Sequence, residues 1–439
     1  MARRRPGIRT WTTRTTGTRP CSPSSTRPGS PPVELAPLPR LQAAAAAAPT
    51  VRRLQALVEW LGEGRKLTAA GNLTPADGKE LARLLGLEDP DRLAGLRVRS
   101  AQDIAGLELL VGWAKQLRLA RAHKGQLVPV KQHRRLLDDP LELFNRASSV
   151  LPLLDRRLPL TDLIEPSFPG GLAEALVDLL SLLYPPGELL TVDELAGHFW
   201  EEHVEALLGE QAASRLELAR LATTVETALL LSLLQGLGMV EPGDGSDAEP
   251  PDIAVDPEPG SPAEAYLSSL AGLPLRLTPL GTWRANLLLR AAGAVAPVIG
   301  ELAGTDAATL IKGISGYDEW AYRAELRAWC RGRGPGAAQE LAGYVRAAPG
   351  FEQRLLAFAG LREAGPAAEG EVRAMVADPA LRPDAQLWLV EQGLEDAASL
   401  EPASARVPIP TPRSPRRPAR PPSSSVPRDL GEASCCHSP

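Results

Sequence analysis

Six cations fall in one short stretch: Arg118, Arg121, Lys124, Lys131, Arg134 and Arg135. Gathered on one surface, such side chains neutralise phosphates of a nucleic-acid backbone and release its counterions. A bland reading competes, in which they form a solvated face that keeps an edge strand from pairing with another chain. No aromatic or base-reading side chains are interleaved with the charges, and both readings stay open.

Other reactive residue types are present without the spacing their chemistry needs. A zinc helix places two histidines four apart on one face. His198 and His203 are five apart, so on a helix of ~3.6 residues per turn their rings diverge by about 140°. Glu201, Glu202 and Glu205 do not make an acid–base pair, because consecutive carboxylates on a helix point apart. A phosphate-cradling glycine loop, Gly-x-Ser-x-Gly and Cys-x-x-Cys are all missing from the sequence. Cys21, Cys435 and Cys436 lie near the ends, and Cys330 falls in a helical pattern as a small core residue. The sequence therefore predicts no catalytic residue, no metal ligand and no cofactor, and a non-enzymatic protein.

The cations need a scaffold. Ile104, Leu107, Leu110, Ala114 and Leu117 recur at three- and four-residue steps, which predicts one helix from a Ser100 cap. Leu119 to His123 and Gln126 to Lys131 read as two strands around a Lys124-Gly125 turn. Pro129 lacks an N–H and should place the second strand at an edge. Upstream, Val51 to Gly62 is a helix, and Thr74 caps a second that Pro75 opens. Pro140 opens another, expected to reach Leu154. Helix, helix and basic hairpin suggest a winged helix.

The same order recurs downstream: an apolar helix from Gly170 to Leu183, a capped start at Thr191, a long helix from Ala213 to Leu234, and strands near Val240 and Leu275. Pro-, Gly- and Asp-rich sequence separates those strands, as in a long acidic wing. From Ala296 to Glu395 helices follow one another. Ala348-Pro349 and Asp378-Pro379, 30 residues apart, hint at two copies of a HEAT-like hairpin.

The predicted fold is thus mainly α with small β-hairpins, two winged-helix-like units followed by a short HEAT-like region. The expected boundaries are a disordered basic tail at 1–50, a basic domain at 51–158, an acidic one at 159–293 with its wing at 242–262, the helical region at 294–400, and a disordered tail at 401–439. Charge supports the partition. Residues 51–160 carry 19 basic and 13 acidic side chains, whereas 161–272 carry two and 21. Any affinity for a polyanion must reside in the first third. No apolar run has the roughly 18 residues of a membrane helix. A cytoplasmic bacterial protein without a membrane partner is expected.

Three segments also resemble a family of uncharacterised actinobacterial proteins: Arg65-Lys66-Leu67-Thr68, Leu73-Thr74-Pro75-Ala76-Asp77 and Leu127-Val128-Pro129-Val130-Lys131. The resemblance runs from about Val51 to Leu400. Some members of that family carry a further C-terminal domain first named from a plasmid open reading frame, and no counterpart of it is visible here. The resemblance implies no catalytic or ligand residue. Two functions are left as expectations: association with duplex DNA through the basic hairpin, or a protein-binding adaptor without nucleic acid.

Overall fold

Helices begin where a side chain can satisfy the N–H groups left over in the first turn. In the computed structural model Thr74, Asp139, Thr191 and Thr278 do this, each accepting from the N–H three residues on. At Thr191 the Glu194 carboxylate reaches back to the cap N–H (2.9 Å), completing a capping box. The structure describes residues 30–87, 90–95, 97–104, 106–157, 172–204, 213–243, 274–348 and 350–396. The chain is mainly helical with small antiparallel sheets, and divides into units Met1–Gly332 and Arg333–Pro439.

The first unit opens with α1 (Leu38–Ala47) and α2 (Pro49–Leu61). This corrects the expectation of a structureless 1–50 for residues 30–50; residues 1–29 lie outside the described residues. Leu41, Ala45 and Ala48 are buried, and Val33 bridges to Val298. The small alanine side chains let a helix backbone pack closely against its neighbours.

Next come β1 (Arg65–Lys66), α3 (Pro75–Leu85), α4 (Pro90–Gly95) and α5 (Leu107–Gln116). The single helix expected from Ser100 is interrupted. Ser100 caps only a 3₁₀ turn, Ala101–Asp103, and Gly106 at φ 72° starts α5 afresh. The N–H groups of Ser100 and Arg99 hold the Asp103 carboxyl below its ordinary pKa. β2 (Ala120–His123) and β3 (Gln126–Pro129) form the hairpin. A 3₁₀ segment, Lys131–Asp138, leads into α6 (Pro140–Val150), which ends earlier than Leu154 in a further 3₁₀ run, Leu151–Arg157.

The order then repeats: α7 (Leu172–Leu183), α8 (Val192–Phe199), α9 (Ala213–Gly236), β4 (Val240–Pro242), β5 (Leu275–Leu277) and α10 (Pro279–Ala291). Between α8 and α9, Trp200–Val204 is a π-helical turn, so the α-helical angle drawn for His198 and His203 does not apply there. Glu205 and most of the expected acidic wing, 244–262, lie outside the described residues.

The two halves share sheet order as well as element order. The first sheet runs β1-β3-β2. In the second, Leu190 bridges β5, which pairs with β4. Each hairpin is entered through the same helix end. The N–H of Leu119 reaches Ala114 O and that of Arg118 reaches Lys115 O; Met239 reaches Leu234 O and Gly238 reaches Gln235 O. Both are Schellman-type ends with a left-handed residue, Arg118 or Gly238. Val130 N–H to Leu119 O and Thr278 N–H to Met239 O then close the two hairpins. At the second, a Cβ on Gly281 would lie 1.9 Å from the Met239 carbonyl oxygen, so only glycine lets α10 begin there.

One hydrophobic core runs through both halves, from Val33 to Ala296, and crosses the expected 158/159 boundary. α1 packs on both α6 and α10. Between α6 and α10, Arg284 is buried (7% exposed) and donates to Ser149 Oγ (2.9 Å), while its Nε has no partner among the described residues. Burial lowers the guanidinium pKa. With no counter-ion among the described residues the buried cation costs more than it contributes, so Arg284→Met is expected to raise the unfolding free energy by about 1–3 kcal/mol in urea titration. A fall instead would show that the charge is needed where it lies.

α11 (Ala307–Ile314) and α12 (Glu319–Arg333) follow. The unit boundary after Gly332, rather than at 293/294, has a local cause. Glu325, fully buried on α12, accepts from the N–H groups of Gly300 (2.5 Å) and Leu302 (2.8 Å), tying that helix to the loop after α10. Cys330 is buried, as its helical pattern suggested.

The second unit contains α13 (Gly336–Ala347) packed on α14 (Phe351–Glu363), and α15 (Glu369–Met375) packed on α16 (Arg382–Glu391). Arg346 pairs with Glu371 (3.0 Å) and Arg362 with Glu391, joining the pairs. Residues 397–439, including the tail expected from 401, lie outside the described residues.

Candidate nucleic-acid interface

The hairpin forms around the two-residue turn expected from the sequence. Lys124 (φ 47°) and Gly125 (φ 74°) both take left-handed conformations, the signature of a two-residue I′ turn. β3 is not an edge strand. It pairs with β2 on one side and with β1 on the other, through Arg65↔Leu127 and Lys66↔Gln126. Pro129 is tolerated because β1 stops two residues short of it.

Register sorts the side chains by face. Arg65, Ala122 and Leu127 share the inner face, where Leu127 is fully buried. Lys66, Gln126 and His123 form a row on the outer face, and Arg121 lies beside them opposite Val128. Lys66 and His123 thus join the candidate surface. Only the pairing of β1, some sixty residues upstream, reveals Lys66.

All six predicted cations are exposed. Arg118 and Lys124 mark the two ends of β2, and Arg121 lies on that strand. Lys131, Arg134 and Arg135 lie on the 3₁₀ segment, where a three-residue repeat sets Lys131 and Arg134 in line. Buried Leu136, and Gln55 Nε2 donating to Leu137 O (2.8 Å), fasten that segment to the body. In the second half no such segment intervenes, because β5 passes straight into α10.

No carboxylate among the described residues pairs with any of the six. Other arginines of the unit are engaged: Arg146 with Glu142 (2.7 Å), Arg276 with Glu241 (3.0 Å) and Arg290 with Glu301 (2.7 Å). Arg65 is likewise engaged, stacked over Trp60 at 4.2 Å with Asp77 and Glu80 within 4 Å. The six cations hold their charge toward solvent, with no ion pair among the described residues.

Two of them do so on strained backbone. Arg118 and Lys124 are the non-glycine residues with positive φ among the described residues. Gly238 occupies the place of Arg118 in the second half. A residue with a Cβ in this region costs on the order of 1 kcal/mol. Lys124→Asn, which suits an I′ turn, is expected to stabilise the unit by about 1 kcal/mol. It should also weaken duplex binding about five- to tenfold, one phosphate contact's worth. Opposite signs in melting and binding assays identify a residue kept for its charge; a change of the same sign in both would not.

α5, directly before the hairpin, presents Glu108 and Gln116 to solvent and leaves Leu109 and Val111 half-buried. Its one cation, Lys115, is half-buried near the C-terminal end of the helix. No three His, Cys, Asp or Glu side chains converge as a metal would need among the described residues. None of the described helices is long and apolar enough to cross a membrane. No family model matches the chain, and no curated protein or solved structure matches it.

Proposed function

We propose that this chain is a tandem winged-helix protein that holds duplex DNA by its phosphate backbone, through the wing of its first winged helix. The repeated order of helix, strand, capped helix, helix and hairpin supports the architecture, as does a sheet in which the last strand lies between the other two. The paired helices of the second unit fit a short HEAT-like stack that serves assembly. One observation carries the DNA reading: six exposed cations on and beside a single hairpin, with no carboxylate partner among the described residues. Binding of this kind is largely independent of sequence, because phosphate contacts fix position without reading bases.

The second reading, a protein-binding adaptor, draws on α5. In a winged helix that helix would enter the major groove, yet here its exposed side chains are Glu108 and Gln116, and its cation, Lys115, is half-buried. Anisotropy titration of the whole chain with two duplexes of unrelated sequence, at several salt concentrations, separates the readings. The DNA reading expects similar affinity for both and a steep fall as salt rises. Absence of binding at low salt removes it in favour of the adaptor.

A further inference from the structure

A shallow groove lies on the first unit, away from the basic hairpin in sequence. The stiff turn Pro185-Pro186, the Glu34 segment and the first turn of α12 line it. Trp320 on that turn is 50% exposed, an uncommon state for the largest apolar side chain. The charges of the groove are one-sided. Glu34 and Glu188 are exposed, whereas its cation, Arg276, is neutralised by Glu241 at 3.0 Å.

We propose that this groove binds an extended partner peptide in which an arginine recurs after each pair of prolines. The molecule contains its own precedent for the arginine. On the first half, Arg65 stacks over the Trp60 ring at 4.2 Å and is flanked by Asp77 (3.8 Å) and Glu80 (3.9 Å). The groove brings the same three kinds of group together, one indole and two carboxylates, for a guanidinium supplied from outside. An arginine suits them better than a lysine, since its planar fork both stacks on an aromatic face and pairs with carboxylate. Proline suits the rest. Its ring packs flat against Trp320 and Pro186, and a chain already held in the polyproline conformation loses little entropy on docking. The two carboxylates repel a nucleic acid, so this surface and the basic hairpin select partners of opposite charge.

The test is fluorescence anisotropy of a labelled peptide of Pro-Pro-Arg repeats, titrated with the full chain at low salt. Saturable binding is expected, about tenfold weaker for Trp320→Ala and for the double variant Glu34→Gln/Glu188→Gln. The lysine version of the peptide should bind several-fold more weakly. Both carboxylates are exposed, so the double variant keeps its fold and its thermal melt verifies this. No saturable binding up to about 1 mM chain, or equal binding by wild type and both variants, overturns the proposal.

Discussion

The triple variant Arg121→Ala/Lys124→Ala/Lys131→Ala is expected to bind a short duplex roughly 10²–10³-fold more weakly than the wild type at about 0.1 M salt. Each cation that meets a phosphate releases counterions, so each contact contributes close to tenfold at that concentration. The same argument fixes a second observable. The slope of log affinity against log salt should become shallower by about 2.7, or 0.9 for each contact removed. All three side chains are exposed and without carboxylate partners among the described residues, so the thermal midpoint should stay in place; alanine keeps the Cβ that strains the backbone at Lys124. Unchanged affinity and slope would reduce the cluster to a solvated face.

Removal of the Glu325 carboxylate should be the most damaging single change to the scaffold. Its two oxygens accept from the N–H groups of Gly300 and Leu302, and the side chain is fully buried. Glu325→Ala leaves two donors without acceptors and opens a cavity, at an expected cost of about 3–4 kcal/mol in urea unfolding. Glu325→Gln keeps one oxygen but turns an amide donor toward an N–H, and should cost roughly half as much. If both variants unfold like the wild type, the carboxylate is not what fastens α12 to the preceding loop.

Features decided by a few neighbouring residues were readable from the sequence. Thr74 and Thr191 announce helix starts, and Lys124-Gly125 announces the turn, because caps and turns depend on groups three residues apart or fewer. Features decided at a distance were not. The helix pattern around Leu107 is unbroken, yet Gly106 divides it, since apolar spacing survives a change of axis that the backbone alone records. Pro129 suggested an edge, but whether a strand is an edge depends on β1 arriving from far upstream. Residues 30–50 were expected to be disordered, but α6 and α10 provide surfaces on which α1 packs.

The candidate site divides in the same way. Residue type and proximity were enough to pick the six cations. Their two most telling properties were hidden: that no carboxylate folds back on them, and that Arg118 takes the conformation for which the second half uses Gly238. The second of these becomes legible only once the repeat is recognised in three dimensions, where Ala114 aligns with Leu234 and Leu119 with Met239. Lys66 and His123 needed the strand register to be placed on the same face.

Lysine footprinting tests the central claim most directly: the chain is acetylated with and without saturating duplex, and each lysine is read by mass spectrometry. Lys124, Lys131 and Lys66 should be protected by the duplex, while Lys312, exposed on α11, reacts equally in both. Protection at Lys312 with none at Lys124 and Lys131 would contradict the account, because DNA would then be held by a surface other than the first hairpin.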